Sequence, residues 1–133
     1  MLVDKKIFLK INSVGRHVSF MVNTYSQIYI QVVFAVKGRN CFIKESFREQ
    51  LQKYIAGIID NEKQKLYAIY CMPDHTHILV SMKPDIAVSN LVRDIKTNSS
   101  SFLKEKGFMH DFAWQTGFGA FSYSKSEALK VVD

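Results

Sequence analysis

The spacing of apolar and polar positions changes period several times along the chain, and each change marks an element. Over residues 27–36 the run Ile28-Tyr29-Ile30-Gln31-Val32-Val33-Phe34-Ala35-Val36 is β-branched and aromatic, which predicts a strand buried on at least one face. Lys37-Gly38-Arg39-Asn40 ends it. Over residues 45–62, Phe47, Leu51, Tyr54, Ile55, Ile58 and Ile59 recur at helical spacing and predict an amphipathic helix. Residues 66–72 read as a second strand. Pro73-Asp74 is a turn signal, and residues 75–82 form the third strand before Lys83-Pro84-Asp85 breaks it. A second amphipathic helix spans 86–106: Val88, Leu91, Val92, Ile95, Phe102 and Leu103 make its stripe, Ser99 lies in the same band, and Gly107 stops it. Residues 112–115 read as a short fourth strand, followed by the glycine-punctuated segment Thr116-Gly117-Phe118-Gly119-Ala120-Phe121. Ser124 and Glu127 stand in capping-box relation at the entry to a last helix, which has run about two turns at Asp133, a length marginal on its own.

The order strand, helix, strand, strand, helix, strand predicts an α+β fold of the split βαβ, ferredoxin-like type: a four-stranded antiparallel sheet with two helices on one face. The other face is then free to bind a ligand. Right-handed crossovers place strand 27–36 beside strand 75–82. Residues 1–20 have no clear period, and Met21-Val22-Asn23 reads as a fresh start. The expected organisation is an extension over 1–20 and a domain over 21–133, the alternative being an extra edge strand over 6–11.

With 133 residues, one domain is expected, and a hydrophobic content of 47% suffices for its core. No stretch is long and apolar enough for a membrane span, and no sustained apolar run follows the basic residues near Met1, so neither an anchor nor a signal peptide is read. Cys41 and Cys71 lack ligand-like spacing and fit reduced thiols, hence the cytoplasm. A net charge of +6 suits a polyanionic partner.

The chemistry concentrates in Met72-Pro73-Asp74-His75-Thr76-His77. Side chains alternate along a strand, so His75 and His77 share a face and can share one divalent cation. The bland alternative is a pair of half-buried polar residues. Lys37, Arg39, Arg93, Lys96 and Lys104 are candidate phosphate contacts, with Gln115 beside them. Trp114 reads as core rather than a base-stacking platform. Ser99-Ser100-Ser101 reads as close packing plus hydrogen bonding to phosphate, and His17 and His110 as surface.

The chain resembles the single-tyrosine HUH transposases of insertion sequences and their REP-associated relatives. The residues that carry the resemblance are Tyr29 through Arg39, Met72 through Val80, Leu91-Val92-Arg93-Asp94-Ile95-Lys96 with Ser99-Ser100-Ser101, and Trp114 through Ser122. The family has a hydrophobe between its two histidines; here Thr76 stands there. The resemblance implies that His75 and His77 hold Mg²⁺ or Mn²⁺, which would bind an oxygen of the scissile phosphate as a Lewis acid. Mg²⁺ prefers oxygen ligands, so water and phosphate would complete the shell. It further implies a homodimer joined edge to edge through its sheets, with the long strand 27–36 as the expected pairing edge, and hairpin-forming single-stranded DNA as the partner. The nucleophilic tyrosine of the family, and a glutamine ligand one turn later, would fall just after Asp133, so the chain reads as truncated, with no catalytic residue among Tyr25, Tyr29, Tyr54, Tyr67, Tyr70 and Tyr123. Three functions follow: a transposase-type protein that cuts and joins single strands through a 5'-phosphotyrosine, a non-catalytic hairpin-DNA binder, or, last, a His-x-His phosphodiesterase.

Overall fold

The structure is a computed structural model that describes residues 25–38 and 42–132. The expected extension over 1–20, His17, Arg39 and Cys41 lie outside the described residues. The elements are β1 (Tyr29–Ala35), α1 (Glu45–Asn61), β2 (Lys65–Cys71), β3 (His75–Ser81), α2 (Val88–Glu105), β4 (Gly119–Tyr123) and α3 (Lys125–Val132). The sheet order is β2-β3-β1-β4, with each neighbouring pair antiparallel. This is the split βαβ arrangement that the order of elements predicts. β1 and β3 are adjacent, with Val33 opposite His77 and Ala35 opposite His75.

Alternation divides the strands into two faces. Ile30, Val32 and Phe34 of β1 and Ile78 and Val80 of β3 pack against Leu51, Ile55 and Ile59 of α1 and Leu91, Val92 and Ile95 of α2. These side chains form the main core, and the apolar stripes of both helices close it from one side. Burying one such side chain contributes roughly 1.5–3 kcal/mol, so the two helices are held by packing.

Three expectations are corrected. The fourth strand is Gly119–Tyr123, not residues 112–115. The earlier segment does lie along β1: Lys37 N–H donates to the Ala113 carbonyl (2.9 Å), Gln115 N–H to that of Ala35 (2.8 Å), and Val36 and Trp114 form a single bridge. The chain then leaves the sheet through Gly117 at φ 89°, a left-handed conformation that favours glycine, and returns as β4. Second, β1 lies between β3 and β4, so it offers no pairing edge. The outer strands are β2 and β4.

Third, the face opposite α1 and α2 is only partly open. α3 lies on it: Ala128 is buried against Tyr29, Ala68 and Leu79, with Tyr67 and Tyr123 alongside. A small residue at this contact lets the helix backbone approach the sheet. The capping box forms, with Ser124 N–H donating to Glu127 Oε1 (2.9 Å) and Glu127 N–H to Ser124 Oγ (3.2 Å). Two otherwise unpaired donors of a short helix are thereby satisfied. Ser124→Ala is expected to speed amide exchange throughout α3 while the protected amides of β1 and β3 stay unchanged, as read by native-state hydrogen exchange.

Candidate functional site

His75 and His77 open β3 on the face that α3 shares, at the end of the sheet away from Ala128. Their rings are 4.7 Å apart between centroids and inclined at 75°. The turn before them is pinned on three sides. Met72 N–H donates to the His75 carbonyl (2.7 Å), Val36 N–H to that of Asp74 (2.8 Å), and Ile43 N–H to that of Pro73 (2.7 Å). A Pro-Asp turn tied to β1 and to the segment before α1 cannot shift without breaking these bonds, so the two imidazoles sit on a rigid base. Thr76, between them, faces the core and is fully buried, as the alternation predicts.

Each ring has one nitrogen engaged. His75 Nδ1 meets Asp74 Oδ1 at 2.6 Å, and this bond holds the Asp74 carboxyl below the usual carboxylate range. His77 Nδ1 meets the side-chain amide nitrogen of Gln31 at 3.2 Å. Burial, and then the neighbouring His75, lower the pKa of His77, which favours the neutral imidazole. Neutral imidazole is the form that ligates a cation, and a second partner on the other nitrogen orients the ring. In both histidines Nε2 is thus the nitrogen that no side-chain partner holds. Among the described residues, no group of three or more His, Cys, Asp or Glu side chains meets in a metal-binding cluster. The pair therefore fits a cation that takes the rest of its shell from water and phosphate oxygens.

Three residues beside the pair, Asp74, Gln31 and Tyr70, escaped the reading of the sequence. Asp74 was legible only as a turn former, and Gln31 only as a lone polar residue in an apolar strand. Tyr70 lies directly across from His77 on β2, and the Arg48 guanidinium sits 5.9 Å from its ring centre. No periodicity signals such cross-strand neighbours, because they depend on register.

The candidate phosphate contacts divide. Lys37 is exposed at the end of β1, and Gln115 is exposed beside Ala35, so both lie at the same end of the sheet as the histidines. Arg93, Lys96 and Lys104 sit on α2, behind the sheet. They line a groove of about 510 Å³ between that helix and the 112–118 segment, together with Ser100, Trp114 and Gln115, so Gln115 borders this groove as well. Lys96 is already engaged: its ammonium donates to the carbonyls of Gln115 (2.8 Å) and Gly117 (2.5 Å), and burial lowers its pKa. Arg93 is exposed and bonded to Asp94 (3.3 Å) and Asn90 (3.4 Å). Trp114 is core, as expected, 9% exposed. Ser99 packs as expected but is fully buried, donating to the Ile95 carbonyl (2.5 Å) and accepting from Trp114 Nε1 (2.9 Å), so its hydroxyl does not reach a phosphate. Cys71 is buried with its thiol pushed up to about 12, an inert group. His110 is exposed, in keeping with a surface residue.

The model of the family "Transposase IS200 like" matches residues 24–133. The chain belongs to that family. Two solved structures share its fold. One is a Deinococcus radiodurans R1 protein assigned as a transposase, with a TM-score of 0.71 at 15% identity, 84% of this chain and 90% of that one covered. The other is a REP-associated tyrosine transposase bound to a REP hairpin, with a TM-score of 0.60 at 14% identity. There 84% of this chain and 66% of that one are covered, so the chain spans just under two thirds of that relative. No curated protein sequence matches the chain. Membership makes the chain a transposase by family. Among the described residues, no helix is long and apolar enough to cross a membrane.

Proposed function

We propose that this domain binds hairpin-forming single-stranded DNA and presents His75 and His77 to a Mg²⁺ or Mn²⁺ ion, in the manner of a transposase that cuts and joins strands through a phosphotyrosine. The observation that carries the reading is the His pair itself: two imidazoles on one face of a pinned strand start, each with Nδ1 engaged. The cation would supply Lewis-acid stabilisation of charge on the scissile phosphate. The protein's own part is to orient the two rings through Asp74 and Gln31 and, by burial, to favour the neutral form of His77. Lys37, Gln115, Arg93 and Lys104 offer positions for the DNA backbone, with Arg39 assigned by sequence alone. Lys96 acts by fixing the 115–117 segment rather than as a free cation. The solved relative bound to a REP hairpin supports a hairpin as the DNA form.

Strand cleavage needs a tyrosine hydroxyl, and the resemblance assigns that role to a position after Asp133. Residues 1–133 are therefore expected to bind hairpin DNA without forming a covalent adduct. Fluorescence anisotropy with a labelled hairpin carrying a single-stranded flank measures the binding. The affinity should fall with salt, with a log–log slope of about 0.7 per phosphate contacted on a single strand. Arg93→Ala should weaken binding to every sequence alike and reduce that slope. Salt-independent binding would sink the phosphate assignment. A protein–DNA band on a denaturing gel would show that a tyrosine within the chain acts, and Tyr123→Phe and Tyr70→Phe would identify it.

A homodimer forms part of the same proposal, now through β4. Among the described residues that strand is an outer edge of the sheet, with Phe118 just before it 40% exposed and Phe121 within it 57% exposed. An unpaired edge flanked by exposed aromatics pairs readily with a second copy. Light scattering should give twice the chain mass, and a proline at Ala120 should return it to the monomer.

A further inference from the structure

Gln31 is 9% exposed, in the middle of a face that carries the histidines at one end and α3 at the other. Its amide joins the two. The amide nitrogen meets His77 Nδ1 at 3.2 Å, and the amide oxygen accepts from the Tyr123 hydroxyl. Tyr123 is the last residue of β4, directly before the Ser124 cap of α3, and it packs with the Ala128 cluster.

We infer that Gln31 is a positioning residue for the cation site: it selects which nitrogen of His77 carries the proton, and it ties that choice to Tyr123 at the root of α3. This rests on the cation reading above. The argument is one of donors and acceptors. A neutral imidazole has one N–H and one lone pair. With the Gln31 NH₂ donating to Nδ1, the proton of His77 sits on Nε2, the atom that a cation needs free. Turning the amide by half a turn exchanges its oxygen and nitrogen without changing its shape. The carbonyl then accepts from Nδ1–H, Nε2 presents its lone pair, and the NH₂ donates to the Tyr123 oxygen. One proton leaves Nε2 for water and one is taken from water at Nδ1, so the ring stays neutral. A group that can be either donor or acceptor suits a site that alternates between empty and loaded. His75 differs, because Asp74 Oδ1 only accepts and keeps Nδ1 protonated throughout.

The test uses ¹⁵N-histidine-labelled protein at pH 8, with ring nitrogen shifts read before and after Mg²⁺, and Mn²⁺ affinity measured separately by the EPR signal of the free ion. In the wild type, metal-free His77 should show an Nε2–H ring that becomes Nδ1–H on saturation with Mg²⁺. Gln31→Leu should lower Mn²⁺ affinity about 10–100-fold, the range seen when a ligand's outer partner is lost. Gln31→Glu, which can only accept, should hold His77 as Nδ1–H even without metal and keep affinity at or above the wild-type value. A purely structural glutamine would make both variants fall alike, and that result overturns the inference. So does an unchanged His77 ring in metal-free Gln31→Glu. If the wild type binds no Mn²⁺, or His77→Ala binds it equally well, the cation reading fails instead, and the metal-free ring shifts still judge Gln31 by themselves.

Discussion

His75→Ala and His77→Ala are each expected to lose Mn²⁺ binding by more than about 100-fold, beyond the loss that removing an outer partner of a ligand causes. On the cation reading proposed above, each change would remove one of the two imidazole donors. The rest of the shell would be water and phosphate, and a single imidazole gives little advantage over water for a hard cation. The fold should survive both changes. The His75 side chain is 32% exposed, and the sheet contacts at the start of β3 run through the backbone. His110→Ala, an exposed site, is the control and should bind Mn²⁺ as the wild type does. Paramagnetic broadening of histidine signals by Mn²⁺ gives the order of effects: His75 and His77 first, His110 unaffected. Equal affinity in either variant of the pair would remove the cation from the site.

Phe34→Ala is expected to cost about 3–5 kcal/mol, a large part of the roughly 5–15 kcal/mol that a domain possesses. Phe34 is 2% exposed and meets the edge of Trp114 at 4.8 Å between centroids, and Trp114 meets Phe112 in the same way at 4.8 Å. The Lys96 ammonium lies 5.6 Å from the Phe34 ring while it holds the carbonyls of Gln115 and Gly117. One ring therefore supports both the core and the segment that walls the basic groove. The midpoint of urea unfolding should drop with the slope unchanged, the mark of lost stability without a change in the unfolded chain. The Trp114 fluorescence should become solvent-like before global unfolding, because its packing partner is gone. Tyr25→Ala, at a side chain 71% exposed and outside every helix and strand, should change the stability by less than about 0.5 kcal/mol. If Phe34→Ala did no more than Tyr25→Ala, the 112–118 segment would owe nothing to this packing.

The elements legible from sequence were those with a strong pattern. α1 and α2 each bury one stripe, so their apolar residues recur at 3.6, while β1 and β3 bury the core face and part of the other, so they read as β-branched apolar runs. The shared face of His75 and His77, the inward Thr76, the core Trp114 and the Ser124–Glu127 capping box follow from local geometry alone, and the structure shows each of them. β4 was not legible, because it is an edge strand whose Ala120, Phe121 and Ser122 are all exposed and carry no alternation. The neighbouring 112–115 segment looked more like a strand because Phe112 and Trp114 are buried there. Tertiary structure alone decided the rest. That α3 covers part of the histidine face depends on where the chain turns after β4, not on the helix's own residues. That Lys96 is engaged depends on two carbonyls about twenty residues away in sequence. That Gln31 stands between His77 and Tyr123 depends on the register of β1 against β3 and β4, and register is set by the packing of whole strands rather than by any residue read singly.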